Sequence, residues 1–147
     1  MKLDSINWAI LEIIQENARL SYAEIGRKVG LTAPAVSDRI QKMEDAEIIT
    51  GYRTIVNYKE VGFYLEAIIT LKTFRGKLNG FLEKVKTIEE VKSCKRITGY
   101  ENVVMKVIFK DHQHMEEIID VFNNYGEVKT YIVLSDTIVD RSVKKIF

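Results

Sequence analysis

The sequence predicts an α+β protein: three short capped helices, then a four-stranded antiparallel sheet with two helices on one face. Three observations predict it. Apolar residues recur at helical spacing before residue 60, they alternate with period two from residue 63, and a strand-helix-strand pattern then occurs twice. At 147 residues the chain can hold one ordinary domain or two small ones. The expected division is 1–60 and 61–147, with the boundary at Val61-Gly62.

Asp4 can cap a first helix, with Leu3 and Trp8 as a hydrophobic staple. Ile6, Ile10, Ile13 and Ile14 form its inward stripe, and it should end near Asn17. Ser21 and Glu24 have the spacing of a capping box, and Tyr22, Ile25 and Val29 mark the inward face of the helix they start. Gly30 suits the left-handed residue that ends it. Thr32 can then cap a third helix, with Pro34 tolerated in the first turn. Val36, Ile40 and Met43 line one side of it, and Pro34, Asp38 and Gln41 point the other way.

Two helices joined by a short glycine turn behind a supporting helix make a helix-turn-helix. The second helix of such a pair fits a DNA major groove about 12 Å wide. Its outward residues are small or polar. The expected groove-facing set is Ser37, Asp38, Gln41 and Lys42, with Pro34 and Ala35 close to the bases, and the cap Thr32 is also expected among the DNA-binding residues. Arg27, Arg39 and the region of Ser21 are expected to meet phosphate. Residues 52–57 alternate as a short wing or connecting strand.

From Phe63 to Leu71 the alternation is that of a strand. Leu78, Phe81, Leu82 and Val85 then fall on one helical stripe, and a second strand is expected over 91–98. The pattern repeats as a strand over 102–109, a helix carrying Met115, Ile118, Ile119 and Phe122, and a strand over 128–136. The order βαββαβ is that of a ferredoxin-like sandwich. Its uncovered sheet face would carry Ile68, Val104, Ile108 and Val133 and would be covered by a second copy.

Composition narrows the function. No run approaches the roughly 20 apolar residues of a membrane span, and no secretory signal is evident, so a cytoplasmic, non-membrane protein is expected. Cys94 is the one cysteine, which fits a reducing compartment. Residues 1–60 hold eight Lys/Arg and nine Asp/Glu, so any DNA contact must come from a local patch. No enzyme, cofactor or metal signature is found. His112 and His114, two apart on a helix, diverge by about 200° and make no two-ligand face, and no glycine-rich phosphate loop or nucleophile elbow is present. An architectural DNA-binding protein without an effector is the alternative, and a small ferredoxin-like enzyme the weaker one.

The order of motifs resembles the Lrp/AsnC (leucine-responsive, feast/famine) family. The resemblance rests on Leu3-Asp4 with Ile10-Leu11, on 17–21, on Gly26 to Thr32 and on Val36-Ser37-Asp38-Arg39-Ile40. It continues through Glu44, Ile48-Ile49, Gly51-Tyr52, Val61-Gly62, Thr98-Gly99 and Leu134-Ser135. It implies a DNA-binding N-terminal domain, a dimerising ferredoxin-like domain, and dimers that build tetramers or octamers. It also implies an amino-acid effector bound between dimers at the loop Thr98, Gly99, Tyr100, Glu101 and Asn102, with Ser135 from the last-strand signature. Two residues depart from the family pattern: Asn102 stands where an aspartate is common, and Glu47 where a glycine is.

Overall fold

The computed structural model describes residues 1–145. It divides into a helical unit, residues 1–55 with 138–145, and a sheet unit, residues 56–137.

The helical unit contains α1 (Ser5–Glu16), α2 (Tyr22–Val29) and α3 (Ala33–Asp45). Each starts at a polar cap whose side-chain oxygen accepts a backbone N–H: Asp4, Ser21 and Thr32. Such caps satisfy donors that the first helical turn leaves unpaired. The core is Ile10, Ile14, Ile25, Val36, Ile40, Met43 and Ile49. Gly26 is required where the turn closes: a Cβ there would lie 2.4 Å from the Leu31 carbonyl oxygen. Gly30 takes the left-handed conformation, φ 72°, that ends α2. Tyr22 departs from its expected inward place and stands 45% exposed at the start of α2.

The wing strand expected over 52–57 is not formed among the described residues. Period-two alternation makes a strand only where a neighbouring backbone supplies hydrogen bonds, and the sheet of the structure is complete without this segment.

The sheet unit contains a 3-10 turn (Lys59–Val61), β1 (Leu65–Thr73), α4 (Leu78–Val85), β2 (Val91–Arg96), β3 (Val103–Phe109), α5 (His112–Asn123) and β4 (Gly126–Ile132). Strand order is β2-β3-β1-β4, with every pairing antiparallel. Ala67, Ile69 and Leu71 of β1 lie opposite Val107, Met105 and Val103 of β3. These residues pack with Phe81, Val85, Ile118 and Phe122 of the two helices. The rings of Phe81 and Phe122 meet edge to face at 5.6 Å. Burying each such side chain contributes about 1.5–3 kcal/mol.

The last strand stops at Ile132 rather than at 136. It has run the length of β1, whose second residue, Glu66, accepts the final bond from the Val133 N–H, and Leu134 is 94% exposed. The second sheet face is more polar than expected. Glu66, Ile68, Thr70 and Lys72 of β1 lie beside Val104, Lys106 and Ile108 of β3 and Lys129 and Tyr131 of β4. Glu66 and Lys106 form an ion pair at 2.8 Å on it, and Ile108 is buried. Alternation placed the apolar residues on this face, but it does not tell which charged neighbours join them.

Candidate functional site

The first candidate surface is built by α2, its turn and α3. The Ser21 N–H donates to Glu24 Oε2 at 2.8 Å, and the Glu24 N–H donates to Ser21 Oγ at 3.2 Å. The Ser21 hydroxyl, and then its backbone N–H, hold the Glu24 carboxyl below its usual range. The turn closes with the Leu31 N–H donating to the Gly26 carbonyl at 2.9 Å. This fixes the start of α3, where the Ala35 N–H donates to Thr32 Oγ1 at 3.4 Å.

Along α3 the two sides differ sharply. Val36, Ile40 and Met43 are buried, while Thr32, Pro34, Asp38, Gln41 and Lys42 are exposed and Ala35 and Ser37 half-buried. Lys42 Nζ meets Asp38 Oδ2 at 2.7 Å, and the Gln41 amide donates to Asp45 at 2.9 Å. Ser21, Arg27 and Lys28 are exposed on α2 and its cap.

Arg39 sits differently. Its Nη1 donates to Asp4 Oδ2 at 2.7 Å and to Asn7 Oδ1 at 2.8 Å. The other Asp4 oxygen accepts the Asn7 N–H at 2.7 Å. That backbone bond first, and Arg39 second, hold the Asp4 carboxyl below its usual value. Asn7 is buried at 4% exposure, so Arg39 satisfies a polar atom that would otherwise be desolvated without a partner. Asp4 therefore caps α1 and anchors α3 with the same carboxylate. Local spacing revealed the cap but gave no signal of the anchor, whose partners are 35 residues apart.

A second local pair joins the chain after α3 to that helix. Tyr52 Oη donates to Glu44 Oε1 at 2.9 Å. Burial, and then the Glu44 carboxylate, push the Tyr52 hydroxyl up to about 12.

The second candidate surface is the loop between β2 and β3. Asn102 fixes it: its Oδ1 accepts the Thr73 N–H at 3.1 Å and its Nδ2 donates to Thr73 Oγ1 at 2.8 Å. The Asn102 N–H donates to the Leu71 carbonyl. Thr98, Gly99 and Tyr100 are exposed beyond this lock. Tyr100 Oη donates to Glu127 Oε2 at 2.9 Å, and Lys72 Nζ stands 3.8 Å from the centre of its ring. Lys129 Nζ donates to Glu101 at 2.6 Å. Lys129 holds the Glu101 carboxyl low, and Tyr100 and Glu101 raise Lys72 and Lys129 respectively.

The structure thus gathers Tyr100, Glu101 and Asn102 with Lys72, Glu127 and Lys129, three residues the sequence reading did not name. Lys72 and Lys129 fall on one sheet face by their period, which is the signal that could have found them. Ser135 lies exposed after β4, with no hydrogen bond to the loop among the described residues. No group of three or more His, Cys, Asp or Glu side chains is placed to hold a metal among the described residues. No described helix is long and apolar enough to cross a membrane.

Comparison with known proteins gives two family matches. An AsnC-type helix-turn-helix domain matches residues 3–44, and an Lrp/AsnC ligand binding domain matches residues 66–143. The regulator Ptr1 of Methanocaldococcus jannaschii is 33% identical over 117 residues, 80% of this chain and 79% of that protein. The regulator LrpC of Bacillus subtilis is 28% identical over 136 residues, 92% of this chain and 94% of its own. The solved LrpC structure has a TM-score of 0.90, covering 96% of this chain and all of that one. A transcriptional regulator of Neisseria meningitidis, solved as a complex with L-Met, shares the fold at 24% identity and a TM-score of 0.90, over 97% of this chain and 96% of that one.

Proposed function

The chain belongs to the Lrp/AsnC family of DNA-binding transcription regulators, a family without enzymatic activity, and from that premise we propose that it reads its operator with α3 and answers to an amino acid at the β2–β3 loop. One observation carries the DNA reading: α3 turns three apolar residues inward and leaves Thr32, Pro34, Asp38, Gln41 and Lys42 in solvent. Ser37, Asp38, Gln41 and Lys42 then face base edges, with Pro34 and Ala35 small enough for close approach. Asp38 accepts from a cytosine amino group while Lys42 offsets its charge toward phosphate. Arg27 and the cap region around Ser21 and Thr32 meet the backbone. The sequence puts Arg39 at a phosphate as well; its bond to Asp4 and Asn7 supports a positioning task, holding α3 on α1.

In this reading residues 1–60 contact DNA, and residues 61–147 dimerise and bind the effector. Loop chemistry supports an amino acid. Lys72 and Lys129 lie beside Glu101 and Glu127, so a zwitterion can exchange each existing pair for one of its own charges. Gly99, at φ 126°, lets ligand approach the backbone. Copies meet through the open sheet face, where Ile68 and Tyr131 are exposed, and dimers assemble into tetramers or octamers in the cytoplasm.

Sequence-independent, architectural binding fits less well. It rests on phosphate neutralisation, and residues 1–60 carry one more acid than base. A competition assay at about 0.15 M salt tests the DNA reading. The protein's own upstream region should win over random duplex by roughly a thousandfold or more, and equal affinity would refute it. Thermal-shift screening against the twenty amino acids, with sizing of each assembly, tests the effector. Stabilisation should rise with ligand concentration over its dissociation constant and vanish in Glu101→Gln.

A further inference from the structure

The helical unit carries a groove of about 470 Å3 between α1 and the chain after α3, lined by Leu3, Trp8, Leu11, Ile48, Tyr52 and Val143 among others. All but one of these come from the first 52 residues. Val143 arrives from the far end of the sequence, and its seat is fixed. The Gln15 side chain treats the Val143 backbone as a β-strand neighbour would: Nε2 donates to the Val143 carbonyl at 3.0 Å, and Oε1 accepts the Val143 N–H at 2.8 Å. A second tie follows the same segment, with Arg53 Nη2 3.5 Å from Asp140 Oδ2.

We infer that residues 138–145 form a strap held on the helical unit at the rim of this groove: Gln15 clamps the strap backbone and Val143, 60% exposed, forms part of the groove wall, so that the chain's own C-terminal segment completes the helical unit. Three features of the surface fit that occupant. A side-chain amide that both gives and takes one residue's backbone bonds selects an extended segment and no particular side chain. Of the strap's three apolar residues, Ile138, Val139 and Val143, Val143 is the one that lines the groove, and it is the residue whose backbone Gln15 holds. The charges are also complementary. The only ionisable side chains of α1 are Glu12 and Glu16, while the strap holds three cations, Arg141, Lys144 and Lys145, against one acid, Asp140, which Arg53 faces, and opposite charges on such surfaces attract within a Debye length of about 8 Å at physiological salt. The chain therefore passes between the two units twice, at 55–56 and again at 137–138.

Trp8 lines the same groove and is the single tryptophan of the chain, so its fluorescence reports the strap directly. The test is acrylamide quenching of Trp8 in the full chain, in a chain lacking residues 141–147, and in Gln15→Ala. Alanine is the best helix former, so the last variant removes both clamp bonds while leaving α1 intact, which far-UV circular dichroism verifies. Quenching should increase in both variants and stay constant when the full chain is diluted. Unchanged quenching in either variant overturns the inference. Loss of protection on dilution overturns it as well, because the groove would then be filled by the segment of another copy.

Discussion

The α2–α3 surface and the β2–β3 loop are both polar, yet they are organised on different length scales. On the first, side chains are tied to residues three or four positions away: Ser21 to Glu24, Thr32 to Ala35, Asp38 to Lys42 and Gln41 to Asp45. Around the loop the partners are 27 to 29 residues apart, as in Tyr100 with Glu127, Lys129 with Glu101 and Asn102 with Thr73. The helical surface is preformed by local geometry, so in the proposed reading a duplex would meet it as it stands. The loop is held by a network of long-range pairs that a charged ligand can enter by exchange. Arg39 is the exception that joins the scales, since its long-range bonds hold the locally built recognition helix in place.

The largest effect should come from Gly26→Ala, which forces a methyl group onto the Leu31 carbonyl. Overpacking against rigid backbone costs about 1–3 kcal/mol or more. Thermal melts should show the helical unit losing stability and DNA binding, with amino-acid binding by the sheet unit retained. Equal loss in both units would break the comparison.

Arg39→Ala comes next. It leaves the buried Asn7 Oδ1 without a partner, a cost of about 1–3 kcal/mol in denaturant unfolding. If Arg39 positions α3, the salt dependence of DNA binding keeps its slope. A phosphate contact would instead lower the slope by roughly 0.9. Arg39→Lys should restore part of the stability.

Asn102→Asp sharpens the loop side. It removes the donor to Thr73 and costs about 1 kcal/mol. Thermal shifts with amino acids should change while affinity for the operator without effector does not. A smaller gain is expected from Glu47→Gly. Glu47 adopts φ 54° just after α3, a left-handed conformation that costs a side-chain-bearing residue about 1 kcal/mol or more, so melting temperature should rise slightly.

The smallest effect is in acid. Asp4 and Glu24 in the helical unit and Glu101 at the loop have carboxyl groups held below their ordinary values of 3.8, 4.5 and 4.5. Their contribution is present above those values and is lost as pH falls through the lowered ones. Acid titration followed by circular dichroism should show that loss beginning only below about pH 4.5. Glu24→Gln should remove the part of it that belongs to the capping box.

The three helix starts, the two cores and the element order βαββαβ were legible because each follows from contacts between near neighbours or from a simple period. The wing over 52–57 was not, since alternation says nothing about whether a partner strand exists. Nor was the mixed character of the open sheet face, where Glu66 and Lys106 pair among the apolar residues. The candidate sites divided in the same way. The residues of α3 could be named from their helical angle, whereas the strand period puts Lys72 and Lys129 on one sheet face but only the strand register brings them, with Glu127, beside the loop.

By itself the sequence determined where helices begin, which side of α3 is apolar and where the backbone must turn at Gly30, because caps, stripes and left-handed residues act over one or two turns. Only the tertiary structure decided that Asp4 and Asn7 hold Arg39, that Asn102 locks to Thr73, and that Val143 returns to Gln15. Those bonds join residues from 29 to 128 positions apart, and bonds at that separation exist only after packing has brought distant backbone together.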